Sequence, residues 1–175
     1  SFQHWLALGV ELSCDLYEGR GEDAWARIER AWAAVQRSQL TRMQVPRIDA
    51  HLQRATAALA AAARSGSPAG LRCAAREADV LAQERIGLAA AARELIHAQL
   101  AALRGEPDVA TLLASSAARF SLGEMPALAA AVQLAAARRE RAPIVALERT
   151  LVACNVREPA RWAATVAPAL FDPIP

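Results

Sequence analysis

"LYEGRGEDAWARIERAW", Leu16 to Trp32, decides between two kinds of fold. Its Gly19 and Gly21 belong either to a loop that cradles phosphate or to a turn between two helices. A phosphate-binding Gly-x-Gly-x-x-Gly follows a strand and needs its third glycine. Here the third position is Ala24. Upstream, Phe2, Trp5, Leu6, Gly9, Leu12 and Leu16 recur at three- and four-residue spacing, one face of a helix rather than a strand. Downstream, Glu22 and Asp23 place acid where the helix dipole is positive, and Trp25, Ile28, Trp32 and Val35 repeat the helical spacing. The two glycines therefore read as the turn of an αα-hairpin over about residues 2–37.

Composition extends this reading to the rest of the chain. Of the 175 residues, 54% are hydrophobic but only 5% aromatic, so the apolar content is mostly Ala and Leu, the strongest helix formers. No β-branched or aromatic alternation marks a strand. A chain of this length buries about 70% of its unfolded surface in one domain. Gly and Pro punctuate it: the loop 64–70, "GEPD" at 105–108, Gly123 with Pro126, and Pro143. The segments between them carry inward stripes. Leu40, Met43, Ile48, Leu52, Ala55 and Leu59 form the first, with Pro46 marking either a kink or the start of the main helix. Leu71, Ala74, Ala78 and Leu81 follow, then Leu88, Ala92, Leu95, Gln99 and Leu103, then Val109, Leu112, Leu113, Ser116 and Phe120. Ile144, Leu147 and Leu151 come next, with Asn155 at a C-terminal cap and Pro159 opening a last short helix.

The expected fold is all-α, with about nine helices in a single domain over residues 1–175. After the first hairpin and the loop at 64–70, later hairpins are expected near 71–104, 107–140 and 143–170. A break roughly every 18–20 residues is the scale of helical repeats. Small inward residues let neighbouring helices approach closely, and hairpins in register then bury one continuous core.

Trp5, Leu8 and Gly9 fit the tetratricopeptide opening Trp-x-x-Leu-Gly-x-x-Tyr, with Leu12 in place of the Tyr. Over a longer span, "LYEGRGEDAWARIERAW", "RMQVPRIDAHLQRATAALAAAA" and "NVREPARWAATVAPAL" resemble the C-terminal helical region of large bacterial serine/threonine protein kinases. There a kinase domain is followed by an ATPase module and then by tetratricopeptide-like helices. The resemblance implies an antiparallel, tetratricopeptide-like α-solenoid that forms the tail of such a protein, and the first residue, Ser1 rather than Met, agrees with a piece of something longer. The catalytic motifs of that family are not in this sequence. It has no Lys at all, no His-Arg-Asp, no Asp-Phe-Gly and no Gly-x-x-x-x-Gly-Lys, so phosphoryl transfer has neither its metal ligands nor its phosphate clamp.

Other chemistry is weakly indicated. His4, His51 and His97 fall on separate helices without metal-ligand spacing, and read as surface or boundary residues. Cys14, Cys73 and Cys154 are far apart and odd in number, as expected of small buried residues in a reducing compartment. Glu77 and Asp79 point to different faces, and Glu77 is expected on a solvated face near Arg at helical spacing. Ser115 and Ser116 lie mid-helix without a base. Arg138, Arg139 and Arg141 are a candidate contact for an acidic partner, although cations also favour the helix C-terminus they occupy.

No catalytic, cofactor-binding or metal-binding residue is therefore assigned. Trp5, Leu8, Gly9, Leu12, Trp25, Ile28, Trp32 and Phe120 are expected to be core. A net charge of +2 gives no sign of nucleic acid, and no apolar run is long enough to span a membrane. The expected function is a non-catalytic, cytoplasmic protein-interaction or regulatory module whose partner is a protein or another domain of its parent. Two alternatives stay open: the ligand-sensing helical domain of a signal-transducing ATPase or transcription regulator, and a self-contained all-α enzyme.

Overall fold

The structure, a computed structural model, describes residues 2–171, the side chains of Phe2 and Leu40 excepted. The expected inward positions of those two side chains, and residues 1 and 172–175 of the expected domain, lie outside the described residues. Among the described residues there are nine α-helices and no strand: α1 (Phe2–Tyr17), α2 (Gly21–Arg37), α3 (Gln44–Ser65), α4 (Pro68–Leu81), α5 (Gly87–Arg104), α6 (Val109–Leu122), α7 (Pro126–Glu140), α8 (Val145–Ala153) and α9 (Pro159–Val166). Short 3₁₀ turns occupy Gln39–Arg42 and Pro168–Leu170. No helix among them is long and apolar enough to cross a membrane.

The opening question is settled by the backbone. Gly19 has φ +73, the left-handed region where a side chain is disfavoured, and α2 starts two residues later, after Arg20. Gly21 serves a different end: it faces the Ala60 backbone of α3, and a Cβ there would sit 2.7 Å from the Ala60 carbonyl carbon. Pro46 is the third residue of α3, in its first turn, where its missing N–H costs no helix hydrogen bond, so the main helix starts around it, at Gln44.

Each helix packs on the next. Residues 21, 29 and 32 of α2 meet 60, 54 and 51 of α3, so these helices run antiparallel. Arg54 with Glu77 and Ala62 with Gly70 give the same result for α3 and α4, and Arg47 reaches Glu84 just past the end of α4. The most extensive contacts are within α3–α4 and α5–α6. Helices α4 with α5 and α6 with α7, the segments of the hairpins expected at 71–104 and 107–140, also pack on one another.

The core is a series of apolar clusters, the last three of which share members. Trp5, Leu12, Ile28 and Trp32 fill the first. Ile48, Leu59, Leu81 and Ile96 fill the next, and Leu88 joins it to a third built on Leu95, Leu113, Phe120 and Val132. Val166 and Phe171 join that one to a fourth around Leu134 and Leu151. Each fully buried Leu, Ile or Phe contributes about 1.5–3 kcal/mol. The α3 segment 55–62 is buried on all sides, which explains its alanines. A helix surrounded by α1, α2, α4 and α5 has no polar face to offer and room for little more than methyl groups.

Three inward assignments are corrected. Leu6 is 51% exposed and Met43 50% exposed. Leu6 sits at the edge of the α1 stripe, beyond the reach of α2 and α3; Met43 precedes α3 rather than lying on it. Trp25 is only half-buried, its indole N–H buried without a hydrogen-bond partner.

Candidate functional site

After α8 the chain turns back. Helix α9 packs on α7 and on α1, and the 3₁₀ turn Pro168–Leu170 packs on α3 and α5. The odd-numbered helices thus share one inner face, and residues 159–171 lie along it. Two polar contacts fix this segment. The fully buried Gln99 of α5 accepts the Ala169 N–H on Oε1 (3.2 Å). Arg161 donates from Nε to the Tyr17 carbonyl (2.8 Å) and stacks its guanidinium on the Tyr17 ring at 4.4 Å. A cavity of about 220 Å³ remains beneath α9, lined by Leu12, Leu52, Leu95, Phe120 and Val166 among others.

Beside it, α1, α3 and α9 border an open groove of about 520 Å³. Its α1 wall carries Trp5, the exposed Leu6 and Val10, and Tyr17; Trp162 of α9 faces them. At the α3 wall stands Asp49. Its Oδ2 accepts from Trp5 Nε1 (3.2 Å) and Gln53 Nε2 (2.8 Å). Burial pushes the Asp49 carboxyl above the usual carboxylate range, against the pull of those two hydrogen bonds. Gln53 has its amide N–H on Asp49, and its own Oε1 is buried without a donor.

A second polar cluster ties α2, α3 and α4 together. Glu77 is 3% exposed; it accepts from Arg54 Nη1 (2.8 Å) and pairs with His51 Nδ1. Arg54 also reaches Glu29 (2.6 Å) and lies 4.3 Å over the Trp32 ring, with His51 edge-on to the same ring. Here the expectation for Glu77 is corrected: it is buried, and its partners come from α3 rather than from its own helix. His51 is correspondingly part of a network and not a plain boundary residue. All of its ionic groups are matched, so it works as a clamp between helices.

The remaining sequence candidates do not converge. Trp5, Leu12, Ile28, Trp32 and Phe120 are buried, while Leu8 and Gly9 are half-buried. Arg138, Arg139 and Arg141 are exposed at the end of α7, where Arg138 lies 5.5 Å from the Phe171 ring and Arg141 adopts φ +55. Cys73 is buried, and burial raises its thiol pKa, which keeps it protonated; Cys14 is exposed and Cys154 half-buried, contrary to expectation. Ser116 donates to the Ala91 carbonyl (2.9 Å), a packing contact. His97 is lowered by burial and then by Arg93. Among the described residues no three His, Cys, Asp or Glu side chains are grouped to hold a metal ion.

Asp49, Gln53 and the Glu77 clamp were not singled out as a site from the sequence. Gln99 carried the one usable signal, a polar residue on an otherwise apolar inward stripe. No family model matches this sequence, and neither a curated protein nor a solved structure matches it.

Proposed function

We propose that this chain is a non-catalytic recognition module, a tetratricopeptide-like helical array that forms the C-terminal tail of a bacterial serine/threonine protein kinase. One observation carries the recognition reading. The inner face already holds a polypeptide segment, residues 159–171, by apolar contacts and by a buried Gln99 that takes a main-chain N–H. A helical face with such a feature binds peptide backbone as well as side chains. The kinase assignment rests on the resemblance of the three quoted segments, and the stacked helices agree with it.

The test places a photo-crosslinking amino acid at Val10, inside the groove, and at Leu122, exposed on α6. Crosslinking is then performed in cells that carry the parent protein. Val10 should capture a protein segment, from the parent or from a partner, and Leu122 should not. Equal labelling from the two positions would refute the recognition reading. Saturable, stoichiometric binding of nucleotide, Mg²⁺ or Zn²⁺ in calorimetry would favour the all-α enzyme instead.

A further inference from the structure

Most of the partly or fully buried acids among the described residues are met by arginine. Asp15 is met by Arg20 at 2.6 Å and Arg27 at 2.8 Å. Glu77 is met by Arg54 at 2.8 Å, Glu84 by Arg47 at 2.6 Å, and Glu94 by Arg119 at 3.0 Å. Asp49 has only the neutral donors of Trp5 and Gln53. Next to it, the Gln53 carbonyl oxygen is a second acceptor without a donor. Gly9 of α1 is what stands over that oxygen, and even a methyl group there would be in contact with it at 3.5 Å. The groove thus combines one carboxylate that has only neutral donors with apolar walls from Leu6, Val10 and Trp162, the Gln53 oxygen being sealed beneath Gly9.

We infer that this groove binds a guanidinium-bearing segment of a partner protein, an arginine flanked by apolar residues, with Asp49 as its counter-charge. The inference rests on the reading of the inner face as a recognition surface and names the chemistry of what it recognises. A guanidinium offers five donors in a plane, a fork that matches a carboxylate. The flat ring of the half-buried Trp162 suits its face. Leu6 and Val10 then cover the apolar flanks, which accounts for two large aliphatic side chains left exposed on one helix.

The probe is a display library of random twelve-residue peptides selected against the intact chain, against Asp49→Asn, and against Val10→Arg. Asn keeps an oxygen for Trp5 and Gln53, and Val10 is 63% exposed, so both variants should retain the wild-type melting temperature. Wild type should enrich peptides with Arg beside apolar residues. Either variant should lose that enrichment. The best peptide, titrated by calorimetry, should weaken at least tenfold when its Arg is replaced by citrulline or when Asp49 is Asn. Selection of peptides with no basic preference, equal affinity for the Arg and citrulline forms, or no saturable binder would overturn the inference. Self-association of the wild type through Leu6 and Val10, seen by ultracentrifugation and removed by Val10→Arg, would overturn it in favour of a second copy. If Val10 still crosslinks a protein while the arginine preference is absent, this inference fails and the recognition reading stands.

Discussion

Replacing Gly21 by alanine puts a methyl group where α3 already is. The added Cβ would lie 2.7 Å from the Ala60 carbonyl carbon, 2.8 Å from its Cβ and 2.9 Å from its oxygen. Carbon atoms at their optimum are about 3.5–4.0 Å apart. The obstruction is backbone, so it cannot rotate away, and α2 must move from α3 by several tenths of an ångström or more. Along that seam a gap of about 0.5–1 Å forfeits a quarter to a half of each dispersion contact. Overpacking of this kind costs about 1–3 kcal/mol. Against it stands the gain in helix propensity, at most about 1 kcal/mol and smaller at the first residue of a helix. The clash outweighs it, and a net cost of up to about 3 kcal/mol should lower the melting temperature by up to roughly 12 °C, taking about 2–4 °C per kcal/mol for a chain of this size. Gly87→Ala is the control. It also sits at a helix start, but its Cβ meets nothing within 4 Å, so it should stabilise by about 0.4–1 kcal/mol. Thermal and urea unfolding followed by far-UV circular dichroism measures both. A Gly21→Ala protein as stable as the wild type would refute the close approach of α2 to α3.

Two further predictions concern the buried charges. Glu77→Ala leaves Arg54 and His51 without their shared acceptor inside the helix junction, and should cost about 3–5 kcal/mol in urea unfolding, more than Glu77→Gln. For Asp15, burial alone would raise the carboxyl pKa, but hydrogen bonds from Arg27 and Arg20 and their charges together hold it below the ordinary value. A depressed folded pKa contributes stability that is present above the unfolded pKa and lost as pH falls through the folded one. Stability of the wild type should therefore decline on acidification below the ordinary carboxylate range, and a series of unfolding curves against pH should show a shallower decline for Asp15→Asn.

The helices were legible because their information is local. Three- and four-residue spacing, the glycines at 19 and 21 and the prolines at 126 and 159 mark elements without reference to anything distant. Even Gln99 and Ser116 were placed inward from the stripe alone. What the sequence withheld is relational. Glu77 pairs with Arg54, 23 residues away, and nothing in the α4 sequence distinguishes it from an acid on a solvated face. Leu6 and Leu12 fit the same helical stripe, yet one is exposed and the other buried, because only the position of α2, α3 and α9 decides how wide the covered arc of α1 is. The return of α9 to α1 rests on contacts such as Arg161 with Tyr17, 144 residues apart, beyond any periodicity argument.

That return makes the segment 159–171 either a plug, which a partner must displace, or a wall, which a partner uses. The two differ in sign. A tethered plug competes at an effective concentration in the millimolar range, and apparent affinity is the intrinsic affinity reduced by the fraction of time the face is open. Gln99→Leu removes the acceptor of the Ala169 N–H, and an unpaired buried amide costs about 1–3 kcal/mol, so the segment loosens. For a plug, binding of a groove peptide should then strengthen, by up to about 5- to 100-fold, since 1.4 kcal/mol is a factor of ten. For a wall it should weaken. The groove favours the wall: Trp162 and Thr165 of α9 line it in the arrangement seen, while Gln99 and Ala169 lie outside it. Peptide affinity for Gln99→Leu should therefore fall, in parallel with faster hydrogen exchange at Ala169. If exchange quickens and affinity rises, the segment is the competitor, and the groove beside Asp49 is not where the partner binds.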